Sequence, residues 1–133
     1  MATRDPLGRT VRQEWCACGS PAKLIDAKGQ TTTWERDLQG RVTREVRHDG
    51  TTATNYTYEG LAGRLKTVTD PKGQIRTYAY RSDDRLASVA YTNASIATAP
   101  VSYAYDALYP RVASMTDGTG TTAYTYKPVG QPG

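Results

Sequence analysis

The feature that most constrains this chain is an internal repeat. Residues 63–81, GRLKTVTDPKGQIRTYAYR, align without a gap on residues 19–37, GSPAKLIDAKGQTTTWERD, and residues 5–19 align in the same way on residues 70–84. The unit runs from a D-P-x-G turn to a Y-x-Y pair, then through D-x-x-G-R to the next D-P-x-G. Such a period predicts a repeat architecture in which each unit packs on its neighbours.

Two turn signals recur in each unit, and β-rich runs of six to eight residues separate them, which predicts antiparallel hairpins. In these turns Asp bonds the backbone, Pro sets φ and Gly accepts a positive φ. We expect a single all-β domain over residues 1–133, an antiparallel meander of about ten strands in five to six units of 21–26 residues, twisted or curled. The residues expected to form its turns are Asp5, Gly8, Asp26, Gly29, Gly40, Asp49, Gly50, Gly63, Asp70, Gly73, Asp117 and Gly118.

The composition predicts a thin core. Only 18 residues are Leu, Ile or Val and none is Phe, whereas 10 are Tyr and 20 are Thr, which suit a pleated, half-buried surface. Aromatic residues two apart share one face of a strand, and cross-strand aromatic and Thr pairs stabilise sheets. We therefore expect an aromatic ladder made of Trp15, Trp34, Tyr56, Tyr58, Tyr78, Tyr80, Tyr103, Tyr105, Tyr124 and Tyr126.

The stretch EWCACGS holds the only two cysteines, Cys16 and Cys18. The repeat register places Cys16 at the Asp position of the D-x-x-G connector and Gly19 at its glycine. Two cysteines in an extended strand lie near the upper limit of the Cα separation that a disulfide allows, whereas a tight turn would bring them closer. A disulfide, two free thiols and pairing outside this chain all remain open.

The sequence offers little for catalysis or metal binding, and we expect no catalytic residue, no metal site and no cofactor. A structural zinc site needs four ligands, usually Cys or His. The one histidine, His48, lies in a turn on the D-P-x-G side, about a strand length from the cysteines. The adjacent pair Asp83 and Asp84 points to opposite faces in a strand, and is better explained as a solvated turn.

The charges indicate a solvated surface. Lys and Arg total 17 against 13 acidic residues, the net charge is +4, and the basic residues form no block, so we expect no nucleic-acid partner. No apolar run is long enough to span a bilayer, and the start MATRDPLGR has no apolar signal region.

Four in-phase segments resemble the RHS/YD-repeat family. They are YTYEGLAGRLKTVTDPKG (56–73), YAYRSDDRLASV (78–89), YAYDALYPRVASMTDGTG (103–120) and DLQGRVTREVRHDG (37–50). The resemblance covers essentially the whole chain. It departs from the family pattern at the Asp position, which holds Cys16, Glu59 and Arg81, and at the Gly position, which holds Asp84 and Pro110.

The resemblance implies a β-ribbon that winds into a hollow shell or barrel. In bacterial polymorphic toxins, insecticidal toxin complexes and animal teneurins such shells are extracellular or export-linked, and in toxins they enclose an effector. It therefore implies a non-enzymatic segment of the wall of a secreted or toxin-associated shell. Its partners would be further repeats of a parent chain or like subunits at the sheet edges, with an enclosed effector or a surface glycan as further candidates.

Two alternatives remain open from the sequence. Open sheet edges template further pairing, which would suit a self-assembling extracellular filament subunit. Tyr and Arg faces would suit a glycan-binding or adhesion module. Neither alternative requires a catalytic group.

Overall fold

The computed structural model describes residues 1–127, and every regular element in this range is a β-strand. Within it, no helix has the length and apolar character needed to cross a bilayer. The strands are β1 Ala2–Arg4, β2 Thr10–Trp15, β3 Pro21–Ile25, β4 Thr31–Arg36, β5 Val42–Val46, β6 Ala53–Tyr58, β7 Leu65–Thr69, β8 Ile75–Tyr80, β9 Leu86–Thr92, β10 Val101–Tyr105, β11 Val112–Asp117 and β12 Gly120–Ala123.

The strand order in the sheet follows the order of the chain, from β1 to β12. This is an antiparallel meander, and it confirms the predicted all-β fold. The described part holds twelve strands rather than about ten, because short strands form at both ends, β1 and β12. The strand order begins at β1 and ends at β12.

The packing divides into two compact units, Met1–Gly73 and Gln74–Gly133, with β1 to β7 in the first and β8 to β12 in the second. The boundary falls at the glycine of the D-P-K-G turn. The assignment of residues 1–133 to a single domain stays a prediction.

In each unit a tyrosine lies across from a buried valine. Tyr56 of β6 pairs with Val68 of β7 in the first unit, and Tyr78 of β8 pairs with Val89 of β9 in the second. Val68 and Val89 are 5% and 8% exposed, and they are the buried hydrophobic residues of the described part. The core is therefore thin, which makes ties between neighbouring strands more important for stability.

Threonine pairs also link neighbouring strands. The hydroxyl oxygens of Thr57 and Thr67 lie 2.6 Å apart across β6 and β7, on exposed positions. Thr116 and Thr121 make the same contact at 2.9 Å in the second unit. Cross-strand pairs of this kind add modestly to sheet stability.

A β-bulge interrupts the register at the second residue of the Y-x-Y position. In β6 the shift lies between Thr57 and Tyr58, so Tyr58 pairs with Leu65 rather than with Lys66. Bulges re-aim side chains and increase the local twist. The equivalent shifts precede Trp15, Arg36, Tyr80 and Tyr105.

Candidate functional site: a carboxylate, arginine and tyrosine clamp

In each turn that follows a bulge, the amide of the first residue donates to the carbonyl of the last residue, and we call these turns connector turns. They span residues 16–20, 37–41 and 59–64 in the first unit and 81–85 and 106–111 in the second. In the turn 37–41 the Asp37 amide donates to the Arg41 carbonyl, and the Gly40 amide donates to the Asp37 carbonyl, both at 3.0 Å. Gly40 has a φ of +82°, a conformation that glycine adopts without steric cost.

The Asp37 carboxylate organises this turn. Its Oδ1 accepts the backbone amides of Gln39 and Arg41 at 3.0 Å, and its Oδ2 accepts the Arg41 guanidinium at 2.7 Å. The Arg41 side chain and the backbone amides together hold the Asp37 pKa below its ordinary value of 3.8. The Asp37 carboxylate is therefore ionised and hydrogen-bonded within its own turn.

A tyrosine from the next strand completes the arrangement. The Arg41 guanidinium lies 4.4 Å from the ring centre of Tyr58, and the Tyr58 hydroxyl donates a 2.7 Å hydrogen bond to the Val42 carbonyl. Tyr58 ends β6, whereas the turn joins β4 to β5, so these contacts fasten one hairpin to the strand that follows it. We call the carboxylate, arginine and tyrosine together the clamp.

The clamp recurs in the second unit. The Arg111 guanidinium lies 2.9 Å from the Asp106 carboxylate and 4.3 Å from the ring centre of Tyr126, which belongs to the segment after β12. The first unit has a further carboxylate and arginine pair, in which Arg64 lies 2.6 Å from Glu59. The tyrosine hydroxyl bond recurs from Tyr105 to the Leu86 carbonyl at 2.9 Å and from Tyr126 to the Val112 carbonyl at 2.6 Å.

The connector turn 81–85 keeps the clamp although its sequence departs from the motif. Arg81 stands where the motif has Asp, and the carboxylate comes instead from Asp83, which lies 2.9 Å from Arg85. Arg85 lies 4.9 Å from the ring centre of Tyr105. Asp84 occupies the glycine position with a φ of 66°, which Asp tolerates better than most residues.

The aspartates of the other set of turns also serve as backbone acceptors. Asp26 accepts the amides of Lys28 and Gln30 at 2.8 Å, and hydrogen bonds from Thr52 lower the Asp49 pKa from 3.8 to about 2. The expected turn residues Asp5, Asp70 and Asp117 accept the amides of Leu7, Lys72 and Thr119 at 2.8 to 3.0 Å. Positive φ occurs at Gly8, Gly29, Gly50, Gly63 and Gly73 as well as at Gly40.

The last turn differs in one detail from the expected pattern. Asp117 pairs with Gly120 across the turn, and the positive φ of 139° belongs to Gly120 rather than to Gly118. A Cβ at Gly118 would lie 2.8 Å from the Ala99 Cβ. Gly118 is therefore required by the close approach of a neighbouring loop.

Cys16 and Cys18 are joined by a disulfide, with their Cα atoms 5.1 Å apart. The connector turn brings them within the separation that such a bond allows. Cys16 keeps the backbone frame of the other connector turns, because its amide donates to the Ser20 carbonyl at 2.9 Å.

The described residues contain no group of three or more His, Cys, Asp or Glu side chains placed to hold a metal ion. A cleft of about 360 Å³ in the first unit is lined by Leu24, Asp26, Gln30, Thr32, Glu45, Arg47 and His48. Two of its carboxylates already have partners, since Asp26 caps its own turn and Glu45 accepts the Trp34 indole N–H at 3.4 Å.

The expected turn and aromatic residues are brought to these turns and strand ends, but the arginines were missed. Arg41, Arg85 and Arg111 each link the carboxylate of their own turn to a tyrosine. The signal was present in the sequence, because arginine ends each D-x-x-G-R connector. The motif alone does not show which side chain the arginine contacts.

Comparisons with known proteins match this chain to an RHS repeat model and to a toxin sequence. Residues 61–96 match the family model described as RHS Repeat. The Double-stranded DNA deaminase toxin A of Burkholderia cenocepacia (strain H111) is 37% identical over 78 residues, which cover 56% of this chain and 5% of that protein.

Solved structures share the fold. A TcdB2-TccC3-TEV crystal structure matches 88% of this chain with a TM-score of 0.75 and 21% identity. The Photorhabdus luminescens Tc holotoxin pore matches 83% with a TM-score of 0.70 and 22% identity. This chain spans only 5 to 6% of the length of those chains.

The family match, the meander and the repeated clamp agree with one another, because the clamp is built from the residues that define the Y-D-x-x-G-R motif. The chain is similar to the RHS/YD-repeat family in the repeat at residues 61–96 and in its fold.

Proposed function

We propose that this chain is a non-catalytic segment of the wall of a secreted or toxin-associated β-shell. The observation that carries the proposal is the clamp. It fastens one hairpin to the strand after it through Arg41 and Tyr58, and the turn 106–111 to the segment after β12 through Arg111 and Tyr126. Such ties build a continuous wall from units that have little core of their own.

The polar groups support a structural role. Asp37 and Asp106 are ionised and bound within their own turns, and Asp49 is bound by Thr52. General acid–base catalysis needs groups that exchange protons near the working pH, and these lowered pKa values favour the opposite. The wall would therefore act by shape and by its links to further repeats, with an effector enclosed by the complete shell.

Export is part of the proposal, and the disulfide supports it. Structural disulfides form and persist in oxidising compartments and are rare in the cytosol. The matched proteins are named as toxins, which agrees with export. This agreement rests on their names alone, since this chain covers a small share of each.

A filament subunit is the second candidate, and the two end strands favour it. The sheet order ends at β1 and β12, and an unpaired strand edge accepts another strand. Like subunits joined at these edges without closing would form a fibre.

Electron microscopy of the full-length protein that carries this chain separates the candidates. A wall segment predicts discrete hollow particles whose β-wall contains these repeats. Filaments whose subunits join at β1 and β12 would replace the shell proposal with the fibre, and a solid particle would contradict both. A glycan array probed with the same protein tests the binding module, and we expect no hits.

A further inference from the structure

The turn that holds the disulfide has the backbone of a connector turn. The Gly19 amide donates to the Cys16 carbonyl at 3.1 Å, as the Gly40 amide donates to the Asp37 carbonyl at 3.0 Å. Gly19 and Gly40 also share a positive φ, +76° and +82°. The two turns differ in their side chains and agree in their main chain.

All three clamp residues are replaced together at this turn. Cys16 stands in place of the carboxylate and Ser20 in place of the arginine. The place of the tyrosine is taken by Arg36, which donates to the Pro21 carbonyl at 3.1 Å, as Tyr58 donates to the Val42 carbonyl in the next repeat. The turn 16–20 therefore lacks the acidic acceptor that holds the turn 37–41.

The disulfide supplies the missing side-chain tie. It closes a ring around Ala17 and thereby restricts the turn from within. Cys18 is exposed and Cys16 is half-buried, so a small reductant reaches the bond from solvent. The turn is thus held by a bond that can be broken chemically, whereas the clamps are not redox-active.

We propose that Cys16 and Cys18 form a thiol–disulfide exchange site that takes low-molecular-weight thiols and dithiols, and that its reduction releases the connector turn 16–20. A reductant thiolate attacks the exposed Cys18 sulfur, the bond between the two cysteines breaks, and Cys16 leaves as a thiolate that takes up a proton. A second thiolate of the reductant then attacks the mixed disulfide. Two protein thiols form, and the reductant is oxidised to its own disulfide.

The release is local. The Arg36 hydrogen bond to Pro21 and the pairing of β2 with β3 do not depend on the disulfide. The clamp at Asp37 and Arg41 is likewise untouched by reduction. Reduction therefore loosens one turn and leaves the adjoining strands paired.

Amide hydrogen exchange on the full-length protein, with and without dithiothreitol, tests the proposal. We expect the Gly19 amide to exchange about tenfold faster after reduction, the size that the chain-entropy model gives for so short a loop. The Gly40 amide, in the matched turn with a clamp, should keep its rate. An unchanged Gly19 rate in protein whose thiols have been shown by alkylation to be reduced would overturn the proposal.

A clamp transplant provides the matched variant. Cys16→Asp, Cys18→Gln, Ser20→Arg and Arg36→Tyr together give the turn 16–20 the residues that Asp37, Gln39, Arg41 and Tyr58 supply to the next turn. Its Gly19 amide should exchange slowly at any dithiothreitol concentration. Cys16→Ser with Cys18→Ser should exchange fast throughout. Wild-type protein with and without reductant still decides the matter if either variant fails to fold.

Discussion

The hydroxyl of Tyr58 donates a 2.7 Å hydrogen bond to the carbonyl oxygen of Val42, across the junction between one hairpin and the next strand. The Arg41 guanidinium lies on the same ring, 4.4 Å from its centre. Tyr58, the second tyrosine of its Y-x-Y pair, therefore fastens one hairpin to the strand that follows it. Its hydroxyl bonds the backbone and its ring packs against Arg41.

Substitutions at Tyr58 separate these two parts. Tyr58→Phe keeps the ring but leaves the Val42 carbonyl without this donor, and it should lower the free energy of unfolding by about 1 kcal/mol. Tyr58→Leu also removes the contact with Arg41 and should lower it further. Urea unfolding followed by circular dichroism measures both. Leu38→Ala is the control, because Leu38 is fully exposed at the turn tip and should change stability by less than about 0.5 kcal/mol.

Arginine at the clamp should not be replaceable by lysine. Arg111 contacts the Asp106 carboxylate through both Nε and Nη2 at 2.9 Å while it stacks on Tyr126, and lysine has neither the fork nor the plane. Arg111→Lys should lower the melting temperature. Arg44→Lys is the control, since Arg44 and Glu35 form an exposed pair at 3.1 Å, and such pairs contribute little. Equal losses in the two variants would show that the clamp has no special role.

Stability should fall in acid through the turn aspartates. The pKa values of Asp5, Asp37, Asp49, Asp106 and Asp117 are lowered in the folded chain, so their contribution is complete above the ordinary value of 3.8 and is lost as pH falls through the folded value. For Asp49 the loss extends from pH 3.8 down to about 2. Melting temperatures measured across that range should drop for the wild type and drop less for Asp49→Asn. A parallel fall in both proteins would assign the acid sensitivity to other groups.

Gly40 should resist substitution through its backbone alone. A Cβ at Gly40 meets no atom within 4 Å, so Gly40→Ala costs only the strain of a φ near +82°, about 1 to 2 kcal/mol. Gly60 is equally open but has no positive φ, and Gly60→Ala should be neutral or slightly stabilising. Chemical unfolding of the two variants side by side measures the difference. If Gly60→Ala proved as costly as Gly40→Ala, positive φ would not be the reason.

The meander followed from the sequence because its signals are local. Asp37 and Gly40 stand three residues apart, and their turn chemistry needs no knowledge of the rest of the fold. The Y-x-Y spacing likewise places Tyr56 and Tyr58 close together at one strand end. The meander could therefore be predicted from the sequence, whereas the aromatic ladder stays a prediction.

The β-bulge and the replacement of the clamp tyrosine by Arg36 could not be predicted from the sequence, because both depend on contacts between strands. The residues Thr57 and Tyr58 carry no local signal that the strand register shifts between them. Arg36 takes the place of a tyrosine only in relation to Pro21, which lies 15 residues away. The disulfide stayed open for the same reason, since its Cα separation depends on how tightly the turn 16–20 closes.

The hydrogen bonds of the tyrosine hydroxyls join residues that lie close together in the sequence, and this affects how the chain folds. Their donors and acceptors lie 16, 19 and 14 residues apart at Tyr58, Tyr105 and Tyr126. Sheets built from such near contacts avoid the slow closure of long loops. A hairpin with such a tyrosine can be fastened as soon as the following segment has left the ribosome. The sheet is thereby predicted to assemble in the direction of synthesis, without waiting for its distant end.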